Sequence, residues 1–386
     1  MRSITGAPFK FGAFVYPLIR DDYSLPVRSI AKKRLTVINK QDCISENIIF
    51  LDYKSRRYHM KRVICLIITA IILSPCIIQS KDKTPELKGP VKWSMAPSLQ
   101  FAGKFTRGIA FVLNGNRFSF IDKTGAEAFT GTFKHAGDFS DSMAAVKIGR
   151  EWGFINRKGK SVIEPAYYAT GDFSEGLCPV KKKFTDKWLY INKSGDEVIS
   201  SGFDYANNFS EGLAAVKKGG RYGYINRRGR YVIPAHLPFA DDFSEGRAIF
   251  RKTGKYGMCD YGYIDTKGRV AVKPVFCSAR KFSEGLAAVS KRTSRIVNKG
   301  RDNQQALVKW GFINMEGRFV IAAVFDRVLD FSEGLAPVQS GDKWGYMNRK
   351  GAIVIPPQFD WAEPFYEGMA AVKVGNSYGY ITRTEK

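Results

Sequence analysis

The sequence predicts an all-β fold of tandem antiparallel repeats, and two observations lead to it. A short phrase, an aromatic residue with a polar turn and then small residues, recurs eight times between residues 105 and 368. Successive copies are 34 to 49 residues apart, and self-similarity at such a period indicates a repeat architecture. The second observation is an Asn/Asp-x-x-Gly spacing in most copies, which is typical of a hairpin turn. The copies begin at Phe105, Phe139, Phe173, Phe209, Phe243, Phe282, Phe331 and Phe365.

Each copy is predicted to form a small antiparallel sheet, and the copy from Phe209 shows its parts. Residues 213–217 are predicted as strand a, which is rich in small residues, and residues 222–226 as strand b. Residues 231–233 are predicted as strand c, and the segment 203–208 before the phrase as an edge strand, strand d. The order along the chain is therefore strand d, strand a, strand b and strand c.

The turns between strands b and c carry specific chemistry. Asn or Asp suits the first position of a type I turn because its side chain bonds the backbone ahead, and Gly suits the left-handed position. This spacing predicts hairpin turns at Asn156/Gly159, Asn192/Gly195, Asn226/Gly229, Asp265/Gly268, Asn314/Gly317 and Asn348/Gly351.

A glutamate recurs in the turn between strands d and a. Six copies of one residue in one structural place predict a turn role rather than catalysis, with pairing to a basic turn on the same rim. A ligand site in each repeat is the alternative. The glutamates are Glu175, Glu211, Glu245, Glu284, Glu333 and Glu367.

Both faces of the predicted sheets are apolar. In strand b, Trp152 and Phe154 share one face, while Gly153 and Ile155 share the other. Neither face is polar enough for solvent, so neighbouring sheets are expected to cover both. The small residue beside each ring is expected to let a neighbouring sheet approach closely. One unit alone buries too little to offset its ordering entropy, so the units are expected to stack.

These units resemble the bacterial WG, or KWG, repeat. The resemblance rests on Trp152-Gly153-Phe154-Ile155-Asn156, Trp310-Gly311-Phe312-Ile313-Asn314 and Lys343-Trp344-Gly345-Tyr346-Met347-Asn348, and covers about residues 105–383. Copies that depart from it, such as Trp188-Leu189 and Phe118-Ser119, are expected to pack more loosely. The resemblance implies an interaction repeat, often found on exported proteins, without an assigned activity.

Two architectures fit such units, a propeller-like closed ring of about eight units and an open β-solenoid. Residues 89–97 form a candidate strand c without its own strands a and b. If this strand completes the last unit, no sheet edge is left over at the junction of the two ends, and this favours the ring. Against the ring, a 34-residue spacing is short beside the roughly 40–50 residues of known propeller repeats.

The first 80 residues are predicted to be separate from the repeat domain at 81–386. Residues 1–59 show no repeat, and we interpret them as an upstream extension or a mis-assigned start before Met60. Within residues 60–80, a basic start, the apolar run 63–78 and a polar exit predict a signal peptide. A retained membrane anchor and lipidation at Cys76 are the alternatives, although the run is short for a membrane span. The chain is therefore expected to be exported to the periplasm, the cell surface or the medium.

The formal charge of +25 favours anionic partners such as envelope polymers, lipids or nucleic acid. Much of this charge is in hairpin turns, where solvated Lys and Arg need no functional explanation. The turns between strands a and b share one rim, and in the sixth copy this turn is long, polar and basic. We define the basic rim, the candidate binding surface, by Lys181, Lys182, Lys183, Arg251, Lys252, Lys291, Arg292, Arg295, Lys299 and Arg301.

The sequence shows no pattern for a metal, a cofactor or a catalytic nucleophile. Cys259 and Cys277 are in one repeat and are able to meet in space, but no disulfide framework is evident. The prediction is therefore an exported, non-catalytic scaffold that binds a protein or an anionic polymer at the cell envelope. A carbohydrate-active hydrolase and a nucleic-acid-binding module are the alternatives. Two unequal carboxylates in one cleft would favour the hydrolase, because an acid and a base need separated pKa values.

Overall fold

The computed structural model describes residues 84–252, 259–298 and 304–384, with the side chains of 293–307 also outside the description. Every regular element in these residues is a β-strand, which confirms the all-β prediction. The predictions for residues 1–59 and for the signal segment 60–80 lie outside the described residues.

The strands fall into eight units, and each unit contains one copy of the repeated phrase at the junction between its strand d and its strand a. The first four units contain β2 Phe101–Ala102, β3 Ile109–Asn114, β4 Arg117–Asp122, β5 His135–Ala136, β6 Met143–Ile148, β7 Glu151–Asn156, β8 Ser161–Thr170, β9 Leu177–Lys182, β10 Trp188–Asn192, β11 Glu197–Phe203, β12 Tyr205–Ala206, β13 Leu213–Lys218, β14 Arg221–Asn226 and β15 Tyr231–Leu237.

The last four units contain β16 Ala240–Ser244, β17 Arg247–Arg251, β18 Tyr261–Ile264, β19 Val270–Phe276, β20 Ser278–Ser283, β21 Leu286–Asn298, β22 Gln304–Ile313, β23 Phe319–Phe325, β24 Arg327–Val328, β25 Leu335–Ser340, β26 Lys343–Asn348, β27 Ile353–Phe359, β28 Trp361–Ala362, β29 Met369–Val374 and β30 Ser377–Arg383, preceded in the chain by β1 Val91–Leu99.

Seven of the eight units have the strand order d, a, b, c that the sequence predicts, and the first unit is the three-stranded sheet β2-β3-β4. The fourth unit is the sheet β12-β13-β14-β15, in which all neighbouring strands are antiparallel. The second and third units share one seven-stranded sheet, because β8 serves as strand c of one unit and strand d of the next. Tandem antiparallel β-meander repeats are therefore confirmed.

The N-terminal strand completes the last unit, as predicted. β1 pairs with β30 along its length, and the sheet order is β1-β30-β29-β28. Val91 is buried in the core of this unit, and Trp93 packs against the same core. A strand made at the beginning of the repeat domain is therefore strand c of the unit made last.

Both faces of each sheet are buried against neighbouring units, which confirms the predicted stacking. In the fourth unit, Leu213, Ala215 and Tyr224 contribute to the core shared with the fifth unit. Ala214 and Val216 contribute to the core shared with the third unit. A further core joins the eighth unit to the first through residues 369–380 and 102–121.

The glycine of each Trp-Gly or Tyr-Gly pair has a different role from the predicted one. A Cβ on Gly223 would lie 2.6 Å from the carbonyl oxygen of Ile233 and 2.7 Å from the nitrogen of Ala235, both in strand c of its own sheet. The register between strands b and c shifts at this point, between Tyr222 and Tyr224. The glycine therefore admits a bulge of strand c, and the expected approach of a neighbouring sheet is wrong.

The third unit has the same bulge without that glycine. Leu189 stands in its place, but Gly202 lies opposite in strand c with a left-handed φ of 65°. Tyr190 and Ile191 are both 0% exposed, so the predicted looser packing is not found here. In this unit the glycine that permits the bulge is Gly202 in strand c, whereas in the units with a Trp-Gly or Tyr-Gly pair it is in strand b.

The long basic turn of the sixth unit is largely regular structure. β21 and β22 extend well beyond the length of their counterparts and pair as far as Asn298 with Gln304. At about 3.3 Å per residue, the seven extra residues of β21 carry the hairpin roughly 20 Å past the other turns. The predicted loop is a projecting hairpin whose tip lies outside the described residues.

Candidate functional site

The turn between strands d and a has a backbone that glutamate rarely adopts. Glu175 has φ 54° and Gly176 has φ 80°, and Ser174 bridges to Leu177 across them. Two successive left-handed residues in a two-residue hairpin are the pattern of a type I′ turn. A left-handed conformation is unfavourable for glutamate, so each copy must recover this cost through its contacts.

The glutamate recovers it by binding the next unit. The carboxylate of Glu175 accepts a hydrogen bond of 3.0 Å from the backbone N–H of Gly212, the glycine of the following turn. This confirms the predicted turn role. The same bond joins Asp141 to Gly176, Glu211 to Gly246, Glu245 to Gly285, Glu284 to Gly334, Glu333 to Gly368 and Glu367 to Gly108.

Turn lysines pair with two of these carboxylates, Asp141 and Glu367, and of these Glu367 is one of the six glutamates for which the sequence predicts such a pair. Lys193 lies 2.7 Å from Asp141, and Lys123 lies 3.2 Å from Glu367. Burial opposes ionisation of Asp141, but the bonds from Lys193 and Gly176 outweigh it and lower its pKa. The pKa of Glu367 is likewise lowered, because the Gly108 N–H and Lys123 outweigh burial. Asp141 and Glu367 are therefore structural anions held in the charged form.

A second set of links uses the tyrosines of strand b. The hydroxyl of Tyr224 donates to the carbonyl oxygen of Asp241 in the next unit at 2.6 Å. Its ring is fully buried, and burial raises its pKa well above 10. Equivalent bonds join Tyr190 to Asn207, Tyr263 to Arg280, Tyr346 to Glu363 and Tyr380 to Gly103.

Three of these accepting carbonyls, those of Asp241, Arg280 and Glu363, are in residues whose titratable side chains form a group at strand d and just after it. We call it the edge-strand cluster and define it by Lys104, Asp138, Asp172, Asp241, Asp242, Arg280, Lys281, Asp330 and Glu363. Each of these residues immediately precedes the phenylalanine of its unit or stands one position earlier. Seven of the eight units contribute to it.

Direct contacts join several members of the edge-strand cluster. Lys104 lies 3.7 Å from Asp138. Arg280 donates through two nitrogens to Asp330, at 2.7 and 3.2 Å. Asp242 accepts a hydrogen bond of 2.9 Å from the side chain of Asn207. These contacts connect the first unit to the second, the sixth to the seventh, and the fourth to the fifth.

Charges in the edge-strand cluster also influence one another between units that are not adjacent in sequence. Burial raises the pKa of Asp138 to about 7, Lys104 opposes this, and the carboxylates of Asp172 and Glu363 add to it. Glu363 belongs to the eighth unit and Asp138 to the second. Side chains from both ends of the repeat array therefore lie close enough to interact electrostatically.

Three further carboxylates of the edge-strand cluster also hold their protons more tightly than usual. Burial and the neighbouring Asp241 raise the pKa of Asp242 to about 7. Burial raises the pKa of Asp241 itself to about 6. Burial raises the pKa of Glu363 as well, against the opposing hydrogen bond from the Trp361 indole. Burial is the main cause of each of these shifts, because it disfavours the charged form of a carboxyl group.

One carboxylate oxygen in the edge-strand cluster has no hydrogen-bond partner. The Oδ1 atom of Asp138 is buried and unpartnered, although its side chain is 25% exposed overall. Within the edge-strand cluster the six carboxylates outnumber the cations Lys104, Arg280 and Lys281. A surplus of acids at this place is notable in a chain whose formal charge is +25. The arrangement is suited to receive a cationic group.

The basic rim is largely neutralised where the structure describes it. Lys181 pairs with Asp186 at 3.4 Å, Lys183 with Glu151 at 3.5 Å, and Lys182 with Glu197. These three residues lie close together at the end of β9.

The remaining rim residues are on other hairpins. Arg251 binds Asp260 at 2.7 Å, Lys252 is exposed beside it, and Lys291 lies over the Phe319 ring at 4.9 Å. Arg292 lies opposite Val308 in the long hairpin. The Arg295 side chain, Lys299 and Arg301 lie outside the described part of the chain.

The cysteines that the sequence places in one repeat do meet. Cys259 and Cys277 form a disulfide with a Cα–Cα distance of 3.7 Å. It joins the segment before β18 to the end of β19. Cys178 is a buried free thiol whose pKa is raised by burial.

Two searches of the described residues were negative. Within ranges 84–252, 259–298 and 304–384, no group of three or more His, Cys, Asp or Glu side chains is placed to hold a metal ion. In the same part of the chain, no helix is long and apolar enough to cross a membrane.

Sequence reasoning missed the edge-strand cluster, although a signal was present. The dipeptide before each phenylalanine changes from Gly-Lys to Gly-Asp, Asn-Asn, Asp-Asp, Arg-Lys and Glu-Pro, while the phrase after it is nearly constant. Variation at one fixed place in a repeat suggests positions that the scaffold does not constrain.

Comparison with solved structures finds distant likenesses only. A eukaryotic initiation factor is similar over 78% of this chain and 88% of its own, at 10% identity and a TM-score of 0.44. A KlHsv2 variant with loop 6CD replaced by a Gly-Ser linker matches over 72% and 89%, at 9% identity and a TM-score of 0.35. A protein of unknown function from Bacteroides caccae matches over 48% and 91%, at 13% identity and a TM-score of 0.26. None of these TM-scores is high enough to support an inference.

Comparison with curated proteins finds no sequence relative. A family model does match, and its seven matches cover more than half of the chain. The model describes a WG containing repeat, and it matches residues 118–150, 152–188, 190–222, 222–256, 261–292, 310–344 and 344–378. The chain therefore belongs to the WG-containing repeat family.

Proposed function

We propose that this chain is an exported, non-catalytic scaffold whose eight units close into a ring, and whose edge-strand cluster binds a basic group of a protein partner. The surplus of carboxylates in that cluster, one with an unpartnered buried oxygen, is the observation that carries the proposal. Ring closure, export and binding rest on different observations.

Ring closure is supported by contacts between the last unit and the first. The turn carboxylate of Glu367 accepts from Gly108 at 2.8 Å, and the hydroxyl of Tyr380 donates to Gly103 at 2.7 Å. Both repeat the bonds between units that follow one another in sequence. An open solenoid would leave Glu367 and Tyr380 without these partners. A circular permutant that joins residue 384 to residue 84 and opens the chain at an exposed turn is expected to fold.

Export is supported by the disulfide and by the sequence before the repeats. A disulfide such as Cys259–Cys277 persists in oxidising compartments and is rare in the cytosol. The segment 60–80 carries the predicted signal. Fractionation of the native cell tests this, with recovery only from the cytosol as the contrary result.

Binding of a cation fits the edge-strand cluster better than binding of a polyanion fits the basic rim. Lys181, Lys182 and Lys183 already have carboxylate partners, so an anionic polymer must compete with those ion pairs. In the edge-strand cluster, a guanidinium or ammonium group would instead relieve repulsion. Lys281 is exposed and the Lys104 side chain is 41% exposed, so solvent reaches this region.

Calorimetric titration with a tetra-arginine peptide tests the binding proposal. Because a bound cation lowers the raised pKa values of Asp138 and Asp242, binding near pH 7 is expected to release protons. The observed heat should therefore change with the ionisation enthalpy of the buffer. Asp138→Asn with Asp242→Asn is expected to weaken binding, whereas Lys181→Gln with Lys183→Gln is not. Absence of binding, or equal loss in both double variants, would contradict the proposal.

A carbohydrate-active hydrolase is a second candidate, and one observation favours it. Asp138 and Asp242 have raised pKa values, while Asp330 is held by Arg280, so the edge-strand cluster contains unequal carboxylates. Such inequality suits a general acid and its partner. Release of reducing sugar from envelope polysaccharide by the wild type, abolished by Asp138→Asn or Asp242→Asn, would support this candidate over the scaffold. Nothing described favours nucleic-acid binding, since the strand b rings pack in the cores between units.

A further inference from the structure

A single aromatic side chain projects from the turn between β9 and β10. Phe184 is 94% exposed and has a left-handed φ of 61°. Most of the corresponding turns place glycine at a left-handed position, for example Gly149 with φ 62° and Gly341 with φ 62°. A bulky residue is strained in this conformation. The fold gains nothing from Phe184, because the ring has almost no buried surface.

Two other apolar side chains are exposed on β6 and β8 of the same seven-stranded sheet. Tyr168 is 64% exposed and Ile148 is 51% exposed. Tyr167, next to Tyr168, pairs with Trp152 of β7 on one side and with Lys182 of β9 on the other. The turn of the second unit and the turn of the third unit therefore lie on either side of Tyr168. We call Ile148, Tyr168 and Phe184 the apolar tip.

Lysines surround the apolar tip. The Lys183 ammonium lies 5.2 Å from the centre of the Phe184 ring and 3.5 Å from Glu151. The Lys181 ammonium lies 5.8 Å from the centre of the Tyr168 ring. Arg150 is exposed at the neighbouring turn. Exposed ion pairs such as Lys183–Glu151 are weak, so these lysines can exchange their carboxylates for phosphate groups.

We propose that the apolar tip docks this protein onto an anionic lipid bilayer, with Phe184 entering the interface and the neighbouring lysines contacting the headgroups. This goes beyond the proposed function, because the tip is on the rim and does not include the edge-strand cluster. Aromatic and aliphatic side chains among basic residues are the composition that interfacial anchoring uses.

The geometry favours a bilayer over a protein groove as the occupant. The three apolar side chains come from three separate elements: the end of β6, strand β8 and the turn after β9. A fluid interface accepts such isolated protrusions without a matching cavity. The strain at Phe184 is also explained, because it is maintained for a contact outside the fold.

A tryptophan reporter in the full chain tests the proposal. The fluorescence of the new indole is obtained by subtracting the wild-type spectrum from that of Phe184→Trp. With vesicles that contain phosphatidylglycerol, this difference spectrum is expected to shift to the blue and to be quenched by brominated lipid. The matched control is Val320→Trp, since Val320 is 54% exposed on the outer strand β23. This control is expected to keep the emission of a water-exposed indole even if residues 60–80 hold the chain at the membrane.

A second variant separates docking from folding. Phe184→Gly is expected to raise the unfolding midpoint, because glycine adopts the left-handed conformation without strain. In the rim double variant Lys181→Gln with Lys183→Gln, the emission shift of Phe184→Trp is expected to fall.

Three results would overturn the proposal. The first is no difference between Phe184→Trp and the wild type with any vesicle. The second is an equal response of Val320→Trp. The third is an emission shift with soluble envelope protein but not with vesicles, which would assign the tip to a protein partner. A lower midpoint for Phe184→Gly would instead give Phe184 a structural role.

Discussion

The carboxylates of the turns and those of the edge-strand cluster belong to the same repeats but have opposite electrostatic settings. Glu367 and Asp141 have lowered pKa values because backbone N–H groups and lysines bind their charged forms. Asp138 and Asp242 have raised pKa values because burial and neighbouring acids disfavour their charged forms. The difference teaches that the carboxylates which recur at the same place in the repeats are the ones that hold the units together. The carboxylates that we propose for binding are those that change from unit to unit.

The largest expected effect is at the best-paired position of the edge-strand cluster. Arg280→Met leaves Asp330 partly buried without its cation, and we expect a loss of about 3 kcal/mol in the free energy of unfolding. Urea unfolding measures it. In the double variant Arg280→Met with Asp330→Leu, the orphaned charge is removed, so most of the loss should be recovered. If the double variant were as unstable as Arg280→Met, the unpaired carboxylate of Asp330 would not be the cause of the loss.

A smaller loss is expected when one turn carboxylate is removed. Glu367→Ala deletes the acceptor for Gly108, and we expect a loss of about 1–2 kcal/mol at pH 7. Since the pKa of Glu367 is lowered by folding, its contribution is present above the unfolded pKa of about 4.3. It is lost as pH falls through the folded value, so the difference from wild type should shrink in acid.

The exposed Glu164→Gln serves as the control for the Glu367 prediction. It is expected to change stability by less than about 0.5 kcal/mol. If Glu367→Ala and Glu164→Gln gave the same result, the link between the last and first units would contribute nothing.

Removing a carboxylate from the edge-strand cluster is expected to have the opposite sign. Asp242→Asn retains an acceptor for Asn207 but removes a disfavoured charge, so the free energy of unfolding at pH 8 should rise by about 1 kcal/mol. The gain should vanish below about pH 3, where the wild-type carboxyl group is protonated in both the folded and the unfolded states. Asp342→Asn, at an exposed turn, is the matched control. Destabilisation by Asp242→Asn at pH 8 would show that the ionised form is used by the fold.

A further expected effect is the pH dependence of the wild type. Asp138 and Asp242 titrate near pH 7 and Asp241 near pH 6 in the folded chain, against about 3.9 when unfolded. Below pH 4 these three protonated carboxyl groups contribute to the free energy of unfolding, and this contribution is lost as the pH rises from about 4 to 7. Asp141 and Glu367, whose pKa values are lowered by folding, lose their contribution in stronger acid. We expect a thermal midpoint that is highest at mildly acidic pH, and a midpoint highest above pH 7 would contradict these shifts.

The sequence predicted the units well because their signals are local. Asn156 and Gly159 define a turn through interactions within a few residues, and the structure shows the Asn156 side chain accepting from Lys158. The alternation in strands a and b predicted burial on both faces for the same reason. The role of the glycine in strand b was misassigned, because the bulge opposite Gly223 depends on the length of strand c.

The sequence marks the positions of the edge-strand cluster as variable, but it does not show that they meet. Asp138 and Glu363 are more than two hundred positions apart, and only the arrangement of the eight units brings their charges together. The direction of their pKa shifts depends on that proximity and on burial. The Cys259–Cys277 pair was within reach because both cysteines belong to one unit. For the sixth unit, the sequence indicated the length of the insertion but not its pairing as a hairpin.

The pairing of β1 with β30 has a consequence for biosynthesis. Val91 and its partner Arg383 are separated by nearly the whole repeat domain. The eighth sheet cannot be finished until the ribosome has made the last strand, so this contact has a very high sequence separation and should form late. The core of the eighth unit, to which Val91 belongs, is therefore also expected to be completed late.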